Sequence, residues 1–162
     1  MVFARKCRTL VFVVLLLTAR GSFAQSGSRA DIRAIETAVL AVHAEMTRAG
    51  AAGDADRLFS YMLDTDKGSV VQNGVMLTTR KEALEQVRAN LGRISKIQYR
   101  WTRELVTVLS PESAILVAEG ESTATAASGD TFTAPFVQTV VFVLRGGAWK
   151  AIHAHQSSPR GQ

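Results

Sequence analysis

The apolar residues between positions 28 and 48 recur at intervals of three and four. This spacing places them on one stripe of an amphipathic helix, which we predict over Ser28–Arg48. Ser28 followed by Asp31 favours a helix start, because both side chains can bond free backbone N–H groups. The glycine-containing stretch 50–53 ends the helix. The stripe consists of Ile32, Ile35, Val39, Val42 and Met46.

The middle of the chain predicts two further helices with a hairpin between them. A short helix begins at Asp54, and a third helix begins at Thr79, where Glu82 completes a capping box. Asn73-Gly74 lies between two short strand-like runs, and both residues tolerate the positive φ of a two-residue turn. The third helix ends near residues 92–95.

The second half of the chain is a series of strand-like runs separated by turn residues. The last run follows Gly146-Gly147, which suits a hairpin turn. Helices followed by long consecutive strands predict an α+β fold with helices on one face of a curved antiparallel sheet. The three longer runs are Ile97–Leu109, Ala114–Ala126 and Thr131–Arg145.

The run Thr131–Arg145 carries apolar residues on both of its faces. Val137, Val141 and Val143 point to one side, and the even-numbered residues point to the other. Because helices cover only one face of such a sheet, the second face needs another cover. We therefore predict a homodimer that packs through the convex face of the sheet. The even-numbered set is Phe132, Phe136, Val140, Phe142 and Leu144.

The first 24 residues have the pattern of a secretory signal peptide. Basic residues precede an apolar run at 10–17, and Ala24 ends a stretch of small residues suited to cleavage before Gln25. The run is shorter than the roughly 20 apolar residues that span a bilayer. We expect a periplasmic or secreted protein that contacts the membrane only through its signal. One domain is expected over 25–162, with its core at about 30–158.

Removal of this segment changes what the composition implies. Four of the 19 basic residues and the single cysteine lie within it, whereas all 14 acidic residues follow it, which leaves a net charge of +1. The whole sequence has a pI of about 9.9, but the remaining chain offers no basic footprint for a nucleic acid, and we expect no such partner. Without a cysteine, a packed core must stabilise the domain. No phosphate loop or nucleotide fingerprint occurs, and we expect no cofactor.

Four segments form a recognisable set: Ala49–Asp54, Leu58–Tyr61, Asn73-Gly74 followed by Thr79–Ala83, and Trp149–Ser157. They resemble the nuclear transport factor 2-like superfamily, and within it the SnoaL-like proteins and the association domain of calcium/calmodulin-dependent protein kinase II. The resemblance spans about Ile32–Ser157. It implies a cystatin-like roll: a cone-shaped, strongly curved antiparallel sheet wrapped on three helices around a deep pocket. Such proteins include isomerases, dehydratases, hydrolases and non-catalytic modules, and many are dimers.

The resemblance also implies that a catalytic member would use a buried histidine or carboxylate beside a polar donor. No residue matches a catalytic position of the family, so catalytic residues stay unassigned. His153 and His155 are the candidate bases. The full set of pocket and ligand candidates is Tyr61, Trp101, Glu119, Gln138, His153, His155 and Gln156.

His153 and His155 share one face of the last strand, and the turn at Gly146-Gly147 decides which face that is. If the glycine pair alone forms the turn, the histidines point to the side of Gln138, which we take as concave. If the turn spans three residues with a glycine bulge, Gln156 points there instead. The histidines then either line the pocket or contribute to the sheet and dimer interface.

Three other features have a structural and a functional interpretation. His43 lies beside the apolar stripe of the first helix, and we predict a half-buried structural residue. His153 and His155 form a His-x-His pair, but no third ligand with suitable spacing is visible, so we predict no metal site. Arg103 and Glu119 belong either to a solvated end of the sheet or to a polar patch at the pocket mouth.

These features support two functions, and a third stays open. The first, which we favour, is an exported protein whose central pocket binds a small hydrophobic molecule. The second is a cofactor-free enzyme of isomerase, dehydratase or hydrolase type that does acid/base chemistry in the same pocket. The third is a structural dimeric module of the cell envelope. A buried ionisable group with a shifted pKa would favour the enzyme, and a pocket without one would favour the binding protein.

Overall fold

A computed structural model describes residues 28–67, 69–72 and 74–158 of the chain. The predicted signal peptide and its cleavage site lie outside these residues. The described residues form three helices and six strands, which confirms the predicted α+β class. The helices are α1 (Arg29–Ala51), α2 (Ala55–Ser60) and α3 (Arg80–Leu91). The strands are β1 (Val70–Gln72), β2 (Val75–Leu77), β3 (Ile94–Ser110), β4 (Ser113–Ala126), β5 (Thr131–Arg145) and β6 (Ala148–Ser157).

The helix starts follow the predicted capping chemistry. The Ser28 hydroxyl accepts a hydrogen bond from the Asp31 backbone N–H, and the Asp31 carboxylate accepts one from the Ser28 N–H. Thr79 and Glu82 form the same reciprocal box before α3. Each box bonds backbone donors that the first turn of a helix leaves without a partner.

The six strands form one sheet in the order β2-β1-β6-β5-β4-β3. Four of the five strand pairings are antiparallel, as predicted, but β1 runs parallel to β6. The sheet is therefore mixed. The direction of β1 is not set by a hairpin with β6, because the two strands are far apart in the chain and meet only after folding.

The helices pack on the concave face of this sheet. The largest fully buried side chains of the interface include Phe59, Leu116 and Phe142. On the opposite side, which we call the outer face, Leu105 is 54% exposed, and Val117 and Val137 are also exposed. The outer face therefore keeps apolar side chains without a cover within the described part of the chain. No helix in that part is both long and apolar enough to cross a membrane.

Gly146-Gly147 forms the two-residue turn between β5 and β6, with Arg145 opposite Ala148. Both glycines have positive φ, 58° and 77°, as such a turn requires. The alternation does not continue along β6, however, because Phe142 pairs with Ala151 and Val141 pairs with His153. Ile152 is the extra residue of a β-bulge, and it reverses which side chains of β6 face inward.

The Ile152 bulge coincides with a change of neighbours along β6. Ala151 exchanges backbone hydrogen bonds with the segment after α2, donating to the Tyr61 carbonyl and accepting from the Leu63 N–H. Three residues later, Ala154 donates to the Ser69 carbonyl at the start of β1. β6 therefore bonds first to the segment after α2 and then to the start of β1, and Ile152 lies between these two contacts.

A second bulge interrupts β3. Trp101 pairs with Gly120 and Arg103 pairs with Glu119, so Thr102 is the extra residue. Trp101 and Glu104 consequently share the concave side, although three positions separate them. Gly120 suits this place because a Cβ there would lie 2.3 Å from the Arg100 carbonyl oxygen. Strict alternation along β3 would place Trp101 and Arg103 on one face, and the bulge instead turns Arg103 to the outer face.

Candidate functional site

A cavity of about 200 Å³ lies between the helices and the concave face of the sheet. Its wall is mostly apolar, and its polar groups come from six elements. Among the described residues, His43 and Tyr99 are the titratable ones in the wall. The polar side chains of the wall are His43, Thr47, Gln72, Asn90, Tyr99, Gln138 and Gln156.

His43 is the buried ionisable group of this cavity. It lies on α1 and is 2% exposed. Its Nδ1 is 2.6 Å from Oε1 of Glu104, whose side chain is about one third exposed. Burial lowers the pKa of His43 below its ordinary value, and the hydrogen bond and charge of Glu104 oppose that shift without cancelling it. The imidazole is therefore neutral at neutral pH.

The second ring nitrogen of His43 identifies the tautomer. Nε2 of Gln138 lies 2.5 Å from Nε2 of His43. An amide nitrogen only donates, so the histidine Nε2 is the acceptor and the ring proton is on Nδ1. Nδ1–H then donates to Glu104. His43 thus combines an oriented carboxylate on one side with a basic lone pair directed towards the cavity side.

The Thr102 bulge is what brings Glu104 to His43. Without an extra residue, the alternation of β3 would place Trp101 and Glu104 on opposite faces. With it, Glu104 lies opposite Ala118 on the concave side. Arg103 points to the outer face, where its Nη2 is 3.0 Å from Oε2 of Glu119.

Aromatic rings form the wall beside His43. The Trp101 ring lies 4.8 Å from the His43 ring and 4.9 Å from Phe136, measured between centroids. Trp101 Nε1–H donates to the Thr47 hydroxyl, which donates to the His43 carbonyl. Tyr99 stacks near Trp101, and burial raises the pKa of its phenol. Tyr99 therefore stays protonated and can donate a hydrogen bond into the cavity.

The sequence-predicted site residues divide between the two sides of the sheet. Trp101, Gln138 and Gln156 line the cavity. Glu119 lies on the outer face in its ion pair with Arg103. The other candidates are outside the cavity wall: Tyr61 follows α2 at the C-cap, His153 lies opposite Val141 and His155 lies opposite Thr139.

His43, Glu104 and Tyr99 were not among the predicted site residues. The spacing of Val39, His43 and Met46 is four and then three, so His43 lies on the buried stripe itself and not beside it. That spacing was a usable signal for burial, which is deeper than the predicted half-burial. Glu104 gave no comparable signal, because its inward position depends on the bulge.

The described residues contain no group of three or more histidine, cysteine or acidic side chains placed to hold a metal ion. The titratable side chains of the cavity wall are those of His43, which is bonded to Glu104, and Tyr99. These groups can accept a proton, stabilise the resulting imidazolium and donate a hydrogen bond.

Comparison with solved structures places the fold among known ones. The chain superposes on a candidate dehydratase of the nuclear transport factor 2-like family from Streptomyces avermitilis with a TM-score of 0.71 and 21% identity, covering 80% of this chain and 99% of that one. A nuclear transport factor 2-like superfamily protein from Salmonella enterica serovar Typhimurium gives 0.74 and 13%, covering 81% and 95%. Hexachlorocyclohexane dehydrochlorinase LinA type 3 from Novosphingobium barchaimii gives 0.68 and 15%, covering 82% and 92%.

The sequence comparisons identify the family. No curated protein sequence matches the chain. The profile of the SnoaL-like domain, in contrast, matches residues 39–161, which is most of the chain. The match includes His43, Glu104 and all six strands. The fold is shared with the nuclear transport factor 2-like structures, and the chain belongs to the SnoaL-like domain family.

Proposed function

We propose that the chain is a cofactor-free enzyme that removes a proton from a small, largely apolar molecule held in the cavity. The observation that carries this proposal is the buried His43 of the cavity wall, whose Nδ1 is 2.6 Å from Glu104 while its Nε2 contacts Gln138, another wall residue. The sequence alone favoured a binding protein. The buried histidine with a lowered pKa is the feature that distinguishes the enzyme from that alternative.

The residues of the cavity have separable roles in this reaction. Nε2 of His43 takes the proton, which requires the Gln138 amide to give way to the substrate. Glu104 holds the ring through Nδ1–H and stabilises the imidazolium that forms. Tyr99 donates a hydrogen bond to the atom on which negative charge develops. The electrons of the broken C–H bond form a new double bond, and a leaving group departs with its own pair.

Two kinds of support accompany the geometry. The mostly apolar wall selects an apolar substrate body and excludes water from the base. Two of the structural neighbours bear the names dehydratase and dehydrochlorinase, and both names denote eliminations, which begin or proceed with loss of a proton. At their low identity to this chain, these neighbours support the fold, and the chemistry rests on His43.

The test uses nitrobenzisoxazole, a small planar reporter of proton abstraction. Loss of its C–H proton to His43 forms the nitrile, breaks the N–O bond and leaves a coloured phenolate, so turnover is read by absorbance. We expect the purified 25–162 protein to exceed the rate of free imidazole and H43A to lose roughly 100 to 10,000-fold. H155A, with an outer-face histidine removed, is the matched control and should keep the wild-type rate. Equal rates in H43A and H155A would exclude His43 as the base.

A binding protein without catalysis is the second candidate, and one observation favours it. The Nε2 lone pair of His43 already accepts a hydrogen bond from Gln138, and a ligand that leaves this bond intact would be bound without reaction. Native mass spectrometry of protein purified from its own host tests this candidate. A retained hydrophobic ligand recovered unchanged, with no turnover of the reporter, would favour binding.

The proposal includes self-association and export. The exposed Leu105, Val117 and Val137 support a homodimer through the outer face, since a dimer would remove this apolar surface from water. The signal-like pattern at 1–24 supports a periplasmic or secreted location. Intact-mass measurement of the exported protein tests the second point, with a mass that begins at Gln25 as the expected result.

A further inference from the structure

Three glutamines stand in one row across neighbouring strands of the sheet. Gln72 on β1 lies opposite Gln156 on β6, and Gln156 lies opposite Gln138 on β5. All three side chains line the cavity. Because the Ile152 bulge turns Gln156 inward, the row exists only with that bulge in place.

The amides of this row form a chain of hydrogen bonds that ends at the histidine. Nε2 of Gln72 donates to Oε1 of Gln156 at 2.8 Å, and Nε2 of Gln156 donates to Oε1 of Gln138 at 3.2 Å. Nε2 of Gln138 then donates to Nε2 of His43 at 2.5 Å. With the Nδ1–H donation to Glu104, four consecutive bonds run in the same direction.

The direction of this chain depends on the protonation state of His43. A protonated ring presents N–H at both nitrogens, so Nε2–H would face the NH₂ group of Gln138. Two donors would then face each other, and the contact becomes a hydrogen bond again only if the Gln138 amide turns its oxygen towards His43. Its NH₂ group would then face that of Gln156, and Gln156 and Gln72 must turn as well. Protonation of one ring therefore requires the inversion of three amides.

We propose that Gln138, Gln156 and Gln72 form a positioning relay that keeps His43 in the neutral tautomer with its proton on Nδ1. This inference rests on the proposed function, because only the neutral ring, with its lone pair on Nε2, can accept a substrate proton. The relay holds the base ready, and Gln138 is the one member that touches it. Gln156 and Gln72 act through Gln138.

Few other groups can influence the ring. Glu104 on β3 is its hydrogen-bond partner, and Tyr99 on β3 is the other titratable residue of the cavity wall. The described wall residues from α1, α2, α3, β1, β5 and β6 are otherwise uncharged. The effect of a substitution at Gln156, which reaches His43 only through Gln138, can therefore be measured in the titration of His43 without interference from another nearby charge.

The test is the titration of the His43 ring in the Gln156→Met variant, followed by its NMR resonances, which are assigned by their loss in H43Q. Gln156 makes its relay bond to Gln138 and none to His43. Without that bond, the Gln138 amide can turn freely and accept from a protonated ring. We expect the midpoint to rise by roughly half a pH unit or more, because a hydrogen bond that favours the neutral form has been released.

The direction of the change separates this proposal from simple burial. Methionine makes the cavity more apolar, and desolvation alone would lower the midpoint. A lowered or unchanged midpoint in Gln156→Met therefore overturns the relay. Gln72→Met, one step further away, should give a smaller rise and serves if the first variant does not fold. Gln98→Met, at an exposed position of β3, is the control and should leave the midpoint unchanged.

The outcome is distinguishable from a failure of the proposed function. The titration needs no turnover, so a rise in the midpoint supports the relay even if the reporter is not consumed. If His43 is also the base, the pH at which the reporter rate falls should rise by the same amount in Gln156→Met. A shifted titration with an unshifted rate profile would remove His43 from the reaction and keep the relay.

Discussion

Arg103 and Glu104 are consecutive residues of β3 that serve opposite faces of the sheet. Arg103 pairs with Glu119 on the outer face, where both side chains are well exposed. Glu104 pairs with the buried His43 on the concave face. An exposed ion pair is worth about 0 to 1 kcal/mol, whereas a buried partner cannot exchange its bond for water. The comparison teaches that depth, more than the carboxylate itself, decides whether a glutamate and its partner can take part in a reaction.

The largest difference between the two pairs should appear in catalysis. We expect Glu104→Gln to lower turnover of nitrobenzisoxazole roughly 100-fold, because the amide still orients the ring but no longer stabilises an imidazolium. Glu119→Gln removes the outer carboxylate and should leave the rate unchanged. Similar losses in both variants would mean that the concave pair has no special role.

The backbone that positions Glu104 beside His43 should be the next most sensitive to substitution. In Gly120→Ala the new methyl group would meet the Arg100 carbonyl oxygen at 2.3 Å, beside the Thr102 bulge. We expect a loss of at least about 2 kcal/mol in the free energy of unfolding, because the clash is with backbone. Urea denaturation measures it. Thr123→Ala, which removes a hydrogen bond from β4 to Thr133 on β5, should cost no more than about 1 kcal/mol.

The pH dependence of stability should report the buried histidine. The folded-state pKa of His43 lies below its unfolded value of about 6.5. Stability is then fully present above that unfolded value and falls as the pH drops towards the folded one, because the unfolded chain binds the proton first. The slope can reach about 1.4 kcal/mol per pH unit. Denaturation at several pH values should show this decline in the wild type and in H155Q, and a flatter curve in H43Q.

The outer face should tolerate changes that the concave face does not. Val117 is 40% exposed and lies opposite Leu105, so Val117→Asp should change the stability of the fold by less than about 0.5 kcal/mol. A charge in the proposed dimer contact should nevertheless prevent association. Sedimentation at micromolar concentration should give a dimer for the wild type and a monomer for the variant. A monomeric wild type would contradict the proposed dimer.

Local signals predicted the elements of this fold well. The capping boxes at Ser28 and Thr79 and the turn at Gly146-Gly147 involve residues within a few positions of each other, so their chemistry is readable from the sequence. Strand boundaries followed from turn residues in the same way. The parallel pairing of β1 with β6 was missed, because it joins segments that are distant in the chain.

The site was harder to predict because two single-residue bulges define it. Strict alternation after a two-residue turn would have put His153 and His155 beside Gln138, and the turn does have two residues. The Ile152 bulge instead turns both histidines to the outer face. The Thr102 bulge likewise turns Glu104 to the concave face, which strict alternation from Trp101 would not predict. Neither bulged strand contains a glycine or a break in its apolar pattern, and Gly120, beside the Thr102 bulge, lies on the partner strand. The steric demands of neighbouring strands decide them, and those appear only in the folded sheet.

The bulge at Ile152 has an implication for how such a pocket could diversify. The extra residue at Ile152 decides which side chains in the second half of β6 point into the cavity and which point outward. Gain or loss of one residue elsewhere on this strand could exchange the whole inward set in a single step. A lineage could thereby replace the glutamine in its pocket by a histidine already encoded next to it. Short insertions and deletions, more than point changes, would then be the events to trace among relatives with different chemistries.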